Sequence, residues 1–151
     1  MALNILFGPP KNSSFLSYFF SITGRHVVCG GSTAQYVANF LHKSVVLSLH
    51  YEKPEVPPIS KIDGVDLVTE GIVTMNLVLE KFLANAPVDE AKDGASLLYK
   101  ELIESEEVYF FVGTENPANK QYLQLKSKGE IVIKLSEILL TQGKKVMIKY
   151  V

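Results

Sequence analysis

Two short runs in the chain carry residue types that hold anions or activate nucleophiles. The first, Cys29-Gly30-Gly31-Ser32-Thr33, sets a thiol, two glycines and two hydroxyls in succession. The glycines let a ligand approach the backbone, while Ser32 and Thr33 present hydroxyls beside the N–H groups that a helix start leaves free. That combination suits a phosphate or a carboxylate. The same residues also make an ordinary tight turn, with Ser32 capping the helix and no ligand required. The run is neither the dinucleotide-binding G-x-G-x-x-G nor a phosphate loop ending in Gly-Lys-Ser/Thr. In the second run, Thr69-Glu70-Gly71, the carboxylate follows an apolar stretch and precedes a glycine. Glu70 could hold a ligand hydroxyl, act as a base, or answer the dipole of the helix that follows.

Cys29 invites a nucleophile reading, because a helix N-terminus lowers the pKa of a thiol. It ends an apolar strand, however, where cysteine behaves as a small hydrophobe. His26 sits at the other end of that strand, too far away to serve as its base, and no other nucleophile–base pair is identifiable. Asp63 and Asp66 lie close to Glu70 in sequence, and three acids near one strand could bind a metal. Asp66 and Thr69 point to different faces of a strand, which argues against a shared site. No His or Cys pair has a zinc-ligand spacing, so neither a metal nor a cofactor is expected.

The elements that must position these runs alternate. Asn4 to Phe7 reads as a strand stopped by Gly8-Pro9-Pro10, where two prolines remove backbone donors. Asn12 or Ser13 caps a helix carrying Phe15, Phe19 and Ile22, with Gly24 at its C′ position. His26 to Cys29 is a strand, and the helix after Gly30-Gly31-Ser32 carries Ala34, Val37, Ala38 and Leu41 at i, i+3, i+4, i+7. Ser44 to Leu49 reads as a strand. Tyr51 to Lys61, with Pro54, Pro57 and Pro58, reads as an extended surface connection. Val65 to Thr69 is the next strand, followed by helices presenting Met75, Leu79 and Phe82, then Leu98 and Leu102. Val108 to Val112 is strand, ending at Gly113-Thr114-Glu115-Asn116, with Asn116 placed for an Asx turn before Pro117. A helix with Ile131, Leu135, Ile138 and Leu139 stops at Gly143, and Val146 to Val151 closes as a strand. The pattern predicts a three-layer α/β fold, Rossmann-like, with a mostly parallel sheet covered by helices on both faces. In such a sheet the strand-to-helix turns emerge at one edge. The turns at Gly8, at Gly30 to Thr33, at Thr69-Glu70 and at Gly113 to Asn116 should therefore converge.

Composition sets the limits. The chain has 151 residues, the size of one domain of roughly 150, and is 47% hydrophobic and 21% charged. Fifteen Lys+Arg against sixteen Asp+Glu leave a net charge of −1, with no basic run to drive nucleic-acid binding. One cysteine cannot form an internal disulfide. No apolar run approaches the roughly 20 residues that cross a bilayer, and no signal-peptide pattern opens the chain. A cytoplasmic location, without nucleic-acid or membrane partners, is the expectation. The first strand begins almost at Met1, which fits a module taken from a longer protein with Met1-Ala2 placed ahead of it.

Laid out in this way, three segments resemble a known arrangement. They are Asn4-Ile5-Leu6-Phe7-Gly8-Pro9-Pro10, Gly24-Arg25-His26-Val27-Val28-Cys29-Gly30-Gly31-Ser32-Thr33, and Pro57-Pro58-Ile59 leading to Gly64-Val65-Asp66-Leu67-Val68-Thr69-Glu70-Gly71. The chain resembles the region that follows the catalytic domain in bacterial proteins of the stage II sporulation protein E-like serine phosphatase family. The resemblance implies an accessory domain of a longer serine/threonine phosphatase. The family's metal-binding aspartates, in motifs such as Asp-Gly-Met-Gly-Ser-Gly, have no counterpart here, so no catalytic role transfers to any residue of this chain. Gly31-Ser32-Thr33-Ala34 and Ile62-Asp63-Gly64-Val65-Asp66 also look like two segments of ribose-5-phosphate isomerases, although the later Lys-Gly-Gly-Gly-Gly run of those enzymes is missing.

Three functional expectations follow. The first is a non-catalytic regulatory or ligand-binding domain, in which Gly30, Gly31, Ser32 and Thr33 cradle an anionic small molecule while Thr69 and Glu70 contact its polar body. The second is an enzyme acting on a sugar phosphate or nucleotide, with Glu70 or Asp66 as general base. The third is a dimerisation or docking module, presenting an apolar patch around Phe15, Phe19 and Phe20 to a second copy or to the phosphatase domain of its parent.

Overall fold

The computed structural model describes residues 1–48, 53–115 and 121–151, with side chains in the last stretch from residue 127 onward. In chain order the elements are β1 (Ala2–Phe7), α1 (Ser14–Ser21), β2 (Arg25–Cys29), α2 (Gly31–Leu41), β3 (Val46–Leu47), β4 (Ser60–Lys61), β5 (Leu67–Thr69), α3 (Ile72–Leu83), α4 (Gly94–Glu104), β6 (Glu107–Val112), α5 (Gln121–Thr141) and β7 (Lys145–Tyr150). The strands form one sheet in the order β3-β4-β5-β2-β1-β6-β7. The pairs β5–β2, β2–β1, β1–β6 and β6–β7 are parallel, and only β3–β4 and β4–β5 are antiparallel. The fold is the three-layer, Rossmann-like α/β arrangement.

Helix periodicity decides which side chains enter the core. Leu3, Ile5 and Phe7 of β1 join Val108, Phe110 and Val112 of β6 in one apolar layer. That layer is roofed by Met75, Val78, Leu79 and Phe82 of α3, by Leu98 and Leu102 of α4, and by Leu135 and Leu139 of α5. The opposite layer holds Leu6, Val28, Val68 and Phe111 from the sheet, with Leu16 and Phe19 of α1 and Ala34, Val37 and Ala38 of α2. Strands buried on both faces are apolar at nearly every position, which is why Val108 to Val112 reads as strand so plainly.

Several local expectations change. The stretch Ser44 to Leu49 does not add a full parallel strand: only Val46 and Leu47 pair, antiparallel to Ser60-Lys61 at the sheet edge, and both are exposed. Leu49 lies outside the described residues. Ser60-Lys61, read from its prolines as connection, supplies the partner strand. Gly24 is not a helix C′ residue. Helix α1 ends at Ser21 with Ile22 already extended, and Gly24 takes φ 125° where its backbone meets the Ala2 carbonyl of β1. Phe15, Phe19 and Phe20 form no exposed patch. Phe19 is fully buried against Phe20, His26 and Phe111, and the other two are half-buried beside it. The notched rings of this cluster fill the layer between α1 and the sheet.

The central pair β1–β6 stays in register from Ala2↔Glu107 to Phe7↔Val112 and ends in two glycines. Gly113 donates its N–H to the Phe7 carbonyl at 2.9 Å, and Glu115 donates to Pro9 at 3.0 Å. A methyl group on Gly113 would fall 2.1 Å from the Gly8 carbonyl oxygen, which is backbone and cannot step aside. Gly113→Ala is therefore expected to lower stability by at least the ~1–3 kcal/mol typical of overpacking, or roughly 2–4 °C in melting temperature per kcal/mol. A variant melting within a degree of the parent would show that the two turns are not locked together.

Candidate functional site

Helices α1 and α2 leave their strands toward one face, α3 and α5 toward the other. Neighbouring strands β2 and β5 thus send helices in opposite directions, which opens a crevice at their carboxyl ends. A cavity of about 180 Å³ lies there, lined by Phe7, Gly8 and Pro9, by Cys29 to Thr33, by Glu70, Gly71 and Ile72, and by Lys128. Three of the four predicted turns supply its wall. The fourth, at Gly113, stands behind Lys128, and Asn116 lies outside the described residues.

Gly30 takes φ 117°, a conformation that L side chains rarely adopt, and serves as the N-cap of α2. Ser32 is not the cap: it sits inside the first turn, and no side chain bonds the helix start. The Gly30 N–H is donated to the Thr69 carbonyl, and the Gly30 carbonyl accepts from Ala34. The N–H groups of Gly31, Ser32 and Thr33 have no intrahelical acceptor, as the first turn of any helix requires. Gly31 keeps that turn open, since a Cβ there would meet nothing within 4 Å. Thr33 is only 1% exposed, yet its hydroxyl makes no hydrogen bond among the described residues and faces the cavity.

Glu70 and Thr69 take different parts. The Glu70 carboxylate accepts from the Thr74 N–H at 2.9 Å and so answers the start of α3 while also lining the cavity. Thr69 is buried, donates its hydroxyl to the Glu70 carbonyl at 2.8 Å and is absent from the cavity wall. Contact between Thr69 and a bound molecule therefore has no support in the geometry. Cys29 is fully buried, and desolvation chiefly, with the Glu70 charge adding to it against the bonding influence of Thr69, pushes its thiol up to about 12. Burial and the raised pKa both work against the thiolate, the form that acts as a nucleophile.

Asp66 belongs elsewhere. It accepts from the His26 N–H at 2.8 Å and stands 3.6 Å from Arg25, at the amino end of β2 and β5. There Arg25 grips Glu101 with two nitrogens, at 2.7 to 2.9 Å, and its pKa rises chiefly through those hydrogen bonds. Asp66 and Glu70 are thus at opposite ends of the sheet and cannot share a metal or a substrate. The described residues contain no cluster of acids, His or Cys suited to a metal. The two isomerase-like segments are separated in the same way, Gly31 to Ala34 at the carboxyl edge and Asp63 to Asp66 at the amino edge.

Lys128 is the residue that sequence reasoning missed. It is 7% exposed, comes from α5, and donates from Nζ to the Gly113 carbonyl at 3.2 Å, with the Phe7 ring centroid 5.9 Å away. Among the described residues no carboxylate pairs with it, and burial lowers its pKa. A side chain on Gly8, which has φ 99°, would stand 2.3 Å from Nζ, so Gly8 is the floor of the lysine's seat. A signal existed: Lys128 precedes Ile131, Val132 and Leu135 by three, four and seven residues, on the buried stripe of α5, where a charge is out of place.

Two outcomes are expected. Cys29 in the native chain should resist thiol reagents at pH 7–8 and react on unfolding; rapid stoichiometric labelling of native protein would overturn its placement. Lys128→Met should match or raise the melting temperature at neutral pH, because an unpaired buried charge is removed. A lysine whose folded pKa is lowered makes the unfolded chain bind more protons between the two values, so stability rises with pH across that window. The difference between parent and Lys128→Met should shrink as pH climbs through it, and a variant several degrees less stable at pH 7 would contradict the uncompensated charge.

No helix among the described residues is long and apolar enough to cross a membrane. Among known proteins, no family model, no curated sequence and no solved structure matches the chain.

Proposed function

We propose that this chain is a non-catalytic ligand-binding or regulatory domain, carried in its parent protein beside a serine phosphatase of the stage II sporulation protein E-like family, and that it binds a phosphorylated small molecule at the carboxyl edge of its sheet. The observation that carries the binding site is Lys128, a buried ammonium that no carboxylate pairs with among the described residues and that lines the same cavity as the free amides of α2. A buried charge is strongly destabilising unless it is paired, and an anion from solution would complete the pair. The Thr33 hydroxyl and the amides of Gly31 and Ser32 supply further donors, in the manner of anion sites at helix starts. The resemblance of the Gly-Pro-Pro, Cys-Gly-Gly-Ser-Thr and Asp-Leu-Val-Thr-Glu-Gly segments supports the family assignment. An inert thiol and a carboxylate already engaged by Thr74 favour binding over covalent or acid–base chemistry.

Thermal unfolding with sugar phosphates and mononucleotides at millimolar concentration tests the site. A ligand at 100 times its Kd stabilises by about 2.7 kcal/mol, and the parent chain should show that rise while Lys128→Met does not. No stabilisation by any of these phosphates would overturn the assignment.

A further inference from the structure

The cavity holds one charge of each sign. Lys128 and the free amides of α2 donate into it, the Thr33 hydroxyl can donate or accept, and Glu70 is the carboxylate among its lining residues. One carboxylate oxygen of Glu70 takes the Thr74 N–H at 2.9 Å, and Glu70 lines the cavity beside Gly71 and Ile72. Any anion seated on Lys128 therefore meets a second negative charge in the same small cavity, where Coulomb repulsion is less screened than in bulk water. A bare oxyanion has nothing to offer Glu70. A molecule that carries a hydrogen-bond donor on a short stem from its anionic group turns that repulsion into a charge-assisted hydrogen bond.

Resting on the anion-site reading above, we infer that the ligand is a small phosphate monoester bearing a hydroxyl group two or three bonds beyond the ester oxygen, its phosphate held by Lys128 and the start of α2 and its hydroxyl donated to Glu70. The volume agrees. About 180 Å³ is below the roughly 300–1,000 Å³ of pockets that enclose drug-sized molecules, so a phosphorylated polyol fits and a whole dinucleotide does not. Glu70 is here a selecting residue, fixed in place by its bond to Thr74, with Lys128 as the anchor.

Titration calorimetry with inorganic phosphate, ethyl phosphate and glycerol 3-phosphate tests this on the parent chain, on Glu70→Gln and on Lys128→Met. Glutamine keeps an oxygen for Thr74, so the α3 cap survives the change. In the parent, glycerol 3-phosphate should bind at least about tenfold more tightly than ethyl phosphate, the smaller end of what a hydrogen bond to a charged group contributes. In Glu70→Gln the gap should narrow and inorganic phosphate should bind more tightly than before, while Lys128→Met loses all three. Equal binding of the two esters by the parent, or a gap unchanged in Glu70→Gln, overturns the role of Glu70 and leaves the anion site standing. Failure of all three phosphates to bind the parent overturns the anion site itself, and the inference falls with it.

Discussion

The contact on which the site depends is backbone against backbone. At the carboxyl end of the central β1–β6 pair, Gly113 lies too close to the Gly8 carbonyl to carry a side chain, and a side chain on Gly8 would strike the Lys128 ammonium. Their contact fixes a carbonyl, that of Gly113, at the one place where the Lys128 ammonium can reach it, and it leaves beside Gly8 the space that the ammonium fills. The Thr114 N–H and hydroxyl both donate to the Val151 carbonyl, which ties the same turn to the end of β7. Strand register, turn geometry and the position of the charge are therefore one constraint seen at three scales. The lysine is held by the core of the sheet and not by a surface loop, the condition under which a polar group can be presented in a fixed geometry.

Burial acts on the two buried titratable groups of the cavity in the same direction, toward neutrality, with opposite consequences. For Cys29 the neutral form is the ordinary form at neutral pH, so desolvation leaves it a stable, inert part of the wall. For Lys128 the neutral form is the unusual one, so the same desolvation leaves a charge that rests on the Gly113 carbonyl and that no carboxylate pairs with among the described residues. A cost of this kind is one that an anion bound at the proposed site would offset. The helix starts around the cavity divide likewise. Helix α3 is answered by Glu70 and α4 by Asp93, which accepts the Ser96 N–H at 3.0 Å, whereas α2 has no carboxylate of its own.

Much of the fold was legible because its signals are local. Phe7-Gly8-Pro9-Pro10 ends a strand by steric necessity, and the stripes of α3 and α4 are set by helical period alone. Gly30 was legible as a turn, and its positive φ explains why it is glycine. What could not be read was pairing between distant segments. Val46-Leu47 is antiparallel because Ser60-Lys61 returns beside it, a fact of the long connection and not of either strand. Asp66 and Glu70 are four residues apart, which in a helix would place them side by side; in a strand of about 3.3 Å per residue they stand at opposite ends. Lys128 was partly legible, as a charge on an apolar stripe, but its partner carbonyl is fifteen residues away and no periodicity points to it.

The separation of Asp66 from Glu70 also orders the chemistry of the molecule. At the amino edge of the sheet the charges are matched: Arg25 donates from two nitrogens to the Glu101 carboxylate and feels a weaker pull from Asp66, which also accepts from the His26 N–H. Such a network satisfies itself and asks nothing of the solvent. At the carboxyl edge the cavity gathers the Lys128 ammonium and the free amides of α2, and the carboxylate that lines it, Glu70, already accepts from Thr74. Both edges sit on the same five parallel strands, so the difference arises from which side chains the turns supply and not from the sheet. A parallel sheet gathers helix starts at a single edge, and here the start of α2, which no side chain caps, meets the buried Lys128 in one cavity. On the proposed reading, the small volume at that point favours a compact anion, with Glu70 selecting what else that anion carries.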